Sequence, residues 1–178
     1  MKKIYERITA LLTAIVCSVG CISTLPSVSG NNASAEENAA SAASEGENII
    51  WELDSEGVLT ISGEGDMGEH TSPTDYPWYD SKASIFEVVI EDGVTSVGNH
   101  AFHGCSSLES VTFPDSVEYI GSFTLFQCNS LTSVNIPDSV TTIKNNAFHG
   151  CSSLESLTIS NNVTSIGEHA FNSCGSLT

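Results

Sequence analysis

Residues 101–110 read AFHGCSSLES, and residues 147–156 read AFHGCSSLES again, an offset of 46. A chain that repeats itself at a fixed offset is one structural unit used several times, which constrains its fold more than any single motif does. Half the offset is the true period. From residue 85 the chain divides into IFEVVIEDGVTSVGNHAFHGCSS, LESVTFPDSVEYIGSFTLFQCNS, LTSVNIPDSVTTIKNNAFHGCSS and LESLTISNNVTSIGEHAFNSCGS, each 23 residues long, and Leu177-Thr178 open a fifth unit at which the sequence is cut.

Aliphatic or aromatic residues recur at positions 1, 4 and 6 of every unit: Ile85, Val88, Ile90; Leu108, Val111, Phe113; Leu131, Val134, Ile136; Leu154, Leu157, Ile159. Within a period of about 20–29 residues that spacing predicts a β-rich leucine-rich-repeat solenoid, in which each set points inward from a short strand. Strands of successive coils stack in parallel about 4.8 Å apart, so every inward side chain meets its counterpart one coil on. The PDSV stretches (Pro114–Val117, Pro137–Val140) supply turns, because proline and aspartate favour them. Val117 with Ile120, and Val140 with Ile143, supply a second inward edge. The GNHAFHGC stretch predicts a short helical turn that buries Phe102, Phe148 and Phe171 as a stacked column, with Leu125 and Thr124 making the second coil irregular.

The consensus LxxVxIPxSVxxIGxxAFxGC resembles the BspA-like, or Treponema pallidum-type, leucine-rich repeats of secreted and surface proteins of bacteria. The resemblance covers residues 85–178, with Lys144 in place of the usual glycine, Gln127 and Ser173 in place of the glycine before cysteine, and Ser160-Asn161 in place of Pro-Asp. It implies a non-catalytic protein that adheres to host or extracellular-matrix proteins or to other cells. Resembling proteins of gut bacteria often carry further domains after the repeats. The alternative is therefore an accessory binding module of a larger extracellular enzyme or polysaccharide-degrading complex.

The rest of the chain supports an exported protein. Lys2, Lys3 and Arg7 precede the apolar run ITALLTAIVCSVGCISTLPSV, and Ala33 and Ala35 provide an A-x-A exit, so residues 1–35 read as a signal peptide cleaved after Ala35. Lipidation at Cys21 and a retained membrane anchor are the alternatives. Residues 36–47, EENAASAASEGE, have nothing to bury and read as a disordered linker. Residues 48–84 begin with two alternating runs around DSEG (Ile49, Trp51, Leu53, then Leu59, Ile61), the pattern of a β-hairpin, and the first coil of a solenoid needs such a cap. Tyr76, Trp78 and Tyr79 belong to that cap or, alternatively, form a sugar-stacking platform.

Beyond residue 35 the chain holds two lysines, no arginine and twenty-one acidic residues, a net charge of −19. Such a surface repels phosphate, so nucleic acid, anionic membranes and phosphorylated substrates are poor partners. Cys105, Cys128, Cys151 and Cys174 fall once per unit at one phase, as a small buried residue does and a catalytic nucleophile does not. We expect free thiols, with disulfides between neighbouring coils open in an exported protein. A cysteine hydrolase would need one unique cysteine with one unique histidine. His103 and His149 share a phase but lie two coils apart, roughly 10 Å by the strand spacing, which excludes a shared zinc ion. His70, His100 and His169 form no ligand spacing, and no cofactor is expected.

Function then falls to the outward side of the strands, at positions 2, 3 and 5. Across the coils these read Phe86, Glu109, Thr132, Glu155; Glu87, Ser110, Ser133, Ser156; and Val89, Thr112, Asn135, Thr158. The face is hydroxyl-rich with a sparse acidic stripe. It lacks the aromatic and arginine anchors of tight interfaces, so weak or avidity-driven binding is expected; the resemblance implies that the partners are extracellular proteins of a host or of other cells, or cell-surface components.

Overall fold

A computed structural model of the protein describes residues 48–178. The leader expected over 1–35 and the linker over 36–47 lie outside the described residues. The first two strands, β1 (Asn48–Leu53) and β2 (Val58–Asp66), form an antiparallel hairpin in which Trp51 pairs with Ile61 and Leu53 with Leu59. Its turn is set by Asp54, whose carboxylate accepts hydrogen bonds from the backbone N–H of Glu56 and Val58, both at 2.9 Å. Gly57 closes the turn at φ +81°. A Cβ there would stand 2.4 Å from the Ser84 carbonyl and from the Phe86 ring, so the position admits no side chain.

Two short 3₁₀ segments follow, Pro73–Asp75 and Tyr79–Ser84. The coils then contribute two parallel ladders. The first contains β3 (Glu87–Ile90), β5 (Ser110–Thr112), β7 (Ser133–Asn135) and β9 (Ser156–Thr158), hydrogen-bonded as two pairs, β3 with β5 and β7 with β9, with a break between β5 and β7. The second contains β4 (Val94–Val97), β6 (Tyr119–Ile120), β8 (Thr142–Ile143) and β10 (Ser165–Ile166). Register is kept coil by coil, with Val88 opposite Val111, Val134 opposite Leu157, and Ile120 opposite Ile143. The inward residues form one core; Ile85, Val88, Leu108, Ile120, Leu131, Ile143 and Leu154 are all fully buried.

The hairpin is more than a lid on this stack. β2 is long enough to serve both ladders: Leu59 and Ile61 pair in parallel with Val88 and Ile90 of β3, and Gly65 and Asp66 pair with Val94 and Ser96 of β4 across a bulge. It is in effect a coil with its own sequence, and β1 adds a further strand beside it.

The third side of each coil differs from its sequence expectation. The stretch around Ala101-Phe102-His103 is a run of tight turns with no helix. Its N–H groups bond three residues back, Ala101 to Gly98, His103 to His100, and Cys105 to Phe102. Left-handed residues interrupt helical progress twice per coil, at His100, Phe123, Asn146 and His169 (φ +56° to +62°) and again at Gly104, Gln127, Gly150 and Ser173. The reversed residues turn alternate N–H groups toward the next coil, where His100, Phe102 and Gly104 donate to the carbonyls of Ser122, Thr124 and Phe126. The same three bonds recur from Phe123, Leu125 and Gln127, and from Asn146, Phe148 and Gly150. Hydrogen bonds thus stitch every pair of coils along the second ladder and the corner, and along the first ladder except between β5 and β7, which satisfies backbone groups that a buried turn would otherwise orphan.

Candidate ligand-binding face

Positions 4 and 6 of the first three coils point into the core, whereas in the fourth Leu157 is half-buried and Ile159, expected inside, is 37% exposed because no further coil covers it among the described residues. The pleat turns positions 2, 3 and 5 outward. Phe86 is 46% exposed; Glu109, Ser110, Thr112, Thr132, Ser133, Asn135, Glu155, Ser156 and Thr158 are exposed; Glu87 and Val89 are half-buried. Pairing places these residues in rows. Glu87 lies opposite Ser110 and Ser133 opposite Ser156, while Val89 lies opposite Thr112 and Asn135 opposite Thr158. The Glu109 N–H bonds to the Phe86 carbonyl and the Glu155 N–H to that of Thr132, so the first row is in register as well.

Two features of this face escape a reading of the sequence. The parallel pairing of β2 with β3 carries the rows onto the hairpin, where Thr60 stands beside Val89 and Glu52 beside Thr60. In addition, open grooves lie at the strand ends. One of about 530 Å³ is lined by Val89, Ile90, Glu91, Asp92, Thr112 and Pro114. Another of about 410 Å³ is lined by Asn135, Pro137, Asp115, Asp138 and Ser139, among others. The one-per-unit recurrence of Asp92, Asp115 and Asp138 was the available signal.

The cysteines and aromatic rings lie elsewhere. Cys105, Cys128 and Cys151 are buried free thiols and Cys174 is a half-buried one. Each of the last three donates to a carbonyl of the preceding coil: Cys128 to Phe102 at 3.3 Å, Cys151 to Leu125 at 3.2 Å and Cys174 to Phe148 at 3.2 Å. Burial pushes the Cys105 and Cys151 thiols up to about 12 and that of Cys128 well above its usual value. Protonated thiols inside the core are poor nucleophiles. Phe102 and Phe148 are fully buried in a column that runs from Trp78 (6.1 Å to Phe102) through Leu125 to Phe171, which stacks 5.3 Å from Phe148. Trp78 is buried and donates its indole N–H to the Ala101 carbonyl at 2.7 Å. Tyr76 is buried too, so neither of these rings offers a face to a sugar, while Tyr79 is half-buried with Lys82 over its ring.

His103 and His149 sandwich Phe126, with ring centroids 4.8 and 4.9 Å apart, and His100 stacks on Phe123 at 5.0 Å. The imidazoles are components of a ring stack. Among the described residues no group of three or more His, Cys, Asp or Glu is placed to hold a metal ion, and no helix is long and apolar enough to cross a membrane.

The repeat profile described as BspA type leucine rich repeat region matches residues 75–178, in six copies. The chain belongs to this family. Leucine-rich repeats of this kind generally serve protein–protein binding, and proteins that carry them are typically non-catalytic. Among solved structures, the chain is similar to a leucine-rich repeat protein from Bacteroides ovatus, with 34% identity and a TM-score of 0.52 over 54% of this chain and 24% of that one. It is also similar to one from Eubacterium ventriosum, with 25% identity and a TM-score of 0.58 over 73% of this chain and 40% of that one. The leucine-rich repeat protein of T. pallidum shares the fold, at 23% identity and a TM-score of 0.56 over 76% of this chain and 69% of that one. The chain therefore spans 24% and 40% of the lengths of the first two proteins. No curated protein matches it.

Proposed function

We propose that this BspA-type repeat protein is exported and acts outside the cell as a non-catalytic adhesion or interaction protein. It would present the outward ladder face, Phe86 and Glu87 through Thr112 and Asn135 to Ser156 and Thr158, to extracellular proteins of a host or of other cells. The observation that carries this reading is the face itself. Its rows run in register from the hairpin through β3 to β5 and again from β7 to β9, with most of their side chains uncovered, whereas the cysteine, histidine and phenylalanine ladders are spent on packing. The basic start, apolar run and A-x-A site of residues 1–35 support export.

The test is capture from extracellular protein mixtures by the immobilised chain and by a Thr112→Arg/Asn135→Arg double variant. Both sites are exposed, so the variant keeps its fold, which circular dichroism checks. The expected result is one or a few proteins retained by the parent chain and lost from the variant. Equal capture by both removes the ladder face from the function. Capture of polysaccharide in place of protein supports the accessory-module alternative.

A further inference from the structure

The charge on the described residues is partitioned by side. Lys82 and Lys144 are their only lysines and they contain no arginine, and both lysines are occupied away from the ladder face. Lys82 lies 3.5 Å over the Tyr79 ring, beside Gly104. Lys144 pairs with Glu69 and covers the Tyr119 ring of the second ladder. On the ladder face and at its strand ends, Glu87, Glu91, Asp92, Asp115 and Asp138 have no cation and no side-chain hydrogen bond among the described residues. The grooves between these acids have apolar floors, from Val89 and Pro114 in the first and from Ile136 and Pro137 in the second.

A second observation points the same way. Ser116 is satisfied, since its hydroxyl donates to the Val94 carbonyl at 2.8 Å and accepts from the Gly93 N–H at 3.1 Å. Ser139, its equivalent one coil on, lines the second groove with its hydroxyl oxygen buried and unpartnered. A donor reaching that hydroxyl would supply the partner it lacks.

We propose that the strand-end grooves receive arginine or lysine side chains from a cationic, extended segment of a partner protein. The aliphatic stems lie against Val89, Pro114 and Pro137. The charged heads reach Asp92, Asp115 and Asp138, and one donates to the Ser139 hydroxyl. Long basic side chains are suited to this, because they bury an apolar stem and carry donors at the tip. A face with acids and no bases also selects against acidic partners through like-charge repulsion, and speeds encounter with basic ones.

This inference rests on the ladder-face reading and is tested separately from it. The probe is a fluorescent twelve-residue peptide of alternating arginine and threonine, titrated with the full chain and followed by anisotropy at physiological salt; a glutamate-threonine peptide is the control. Two double variants change the net charge equally: Asp115→Lys/Asp138→Lys at the grooves, and Glu118→Lys/Glu168→Lys at exposed positions bordering the second ladder. The expected result is binding of the arginine peptide alone, weakened at least about ten-fold by the groove variant and less than about two-fold by the other. Equal weakening by both would mean diffuse attraction to a polyanion and would overturn the proposal, as would no binding. A protein partner released by Thr112→Arg/Asn135→Arg while the peptide ignores the groove variant would leave the ladder-face reading standing and sink this one.

Discussion

At the scale of single residues, the cysteine of each coil is a packing atom, and those of the last three coils commit the thiol proton to a carbonyl. Its ionisation must therefore oppose folding. The unfolded thiol ionises near 9.0 and the folded Cys105 and Cys151 thiols only near 12, so their contribution is intact below about pH 9 and is lost as pH rises through that window. Denaturation midpoints should fall between about pH 8 and about pH 10.5, and fall less in a Cys105→Ala/Cys151→Ala chain. At neutral pH a disulfide reagent should label the folded protein slowly and all four repeat cysteines rapidly in denaturant; fast labelling of Cys105 in the fold would contradict its burial. The histidines give the opposite sign. Burial lowers His100 and His103 below the usual 6.5; Asp75 opposes the shift at His100, whereas the His100 and Lys82 charges reinforce it at His103. The unfolded chain then binds protons first on acidification, so stability is full above about pH 6.5 and declines as pH falls through the folded values. His103→Phe, which keeps a ring against Phe126, should lessen the drop in melting temperature between about pH 7.5 and about pH 5.5.

At the scale of elements, the coil is a strand, a second short strand and a hydrogen-bonded corner, and its parts were unequally legible. Positions 1, 4 and 6 announce themselves because each inward residue is copied every 23 residues. The first left-handed corner position does not, since it is filled by His100, Phe123, Asn146 and His169, residues with no turn signature in common; the second is marked by glycine only at Gly104 and Gly150. The second half of β2 is hidden as well, because Gly63, Glu64, Gly65 and Asp66 lack the alternation that marks a strand; Gly63 and Glu64 pair with β1, and Gly65 and Asp66 pair because β4 presents an open edge there. On the face, the exposed hydroxyls and glutamates follow from period and pleat, while the grooves depend on how the PDSV turns project, which no single unit reveals. A left-handed residue other than glycine costs about 1–2 kcal/mol, offset partly by the freedom glycine adds to the unfolded chain. Gln127→Gly, which restores the residue found at Gly104 and Gly150, should raise stability by up to about 1 kcal/mol in urea titration. Phe148→Ala should lower it by about 3–5 kcal/mol, because it empties the middle of the aromatic column. A loss under about 1 kcal/mol would mean that the column closes over the gap.

At the scale of the whole molecule, the stack divides labour by side. The corners are tied by thiols, rings and backbone bonds. The second ladder is crossed by the Lys144 bridge to Glu69, a partly exposed pair whose removal by Lys144→Ala should cost less than about 1 kcal/mol. The first ladder keeps an acidic, hydroxyl-rich surface that nothing in the described residues covers, the surface proposed to bind the partner. The direct measurement is carboxylate footprinting: the chain, free and bound to its captured protein partner, is labelled with a carbodiimide and amine and mapped by mass spectrometry. The expected result is that Glu87, Glu109, Asp115 and Glu155 lose reactivity in the complex while Glu118 and Glu168 keep it. Protection of Glu118 and Glu168 with Glu109 and Glu155 unchanged would place the partner on another side and contradict the account.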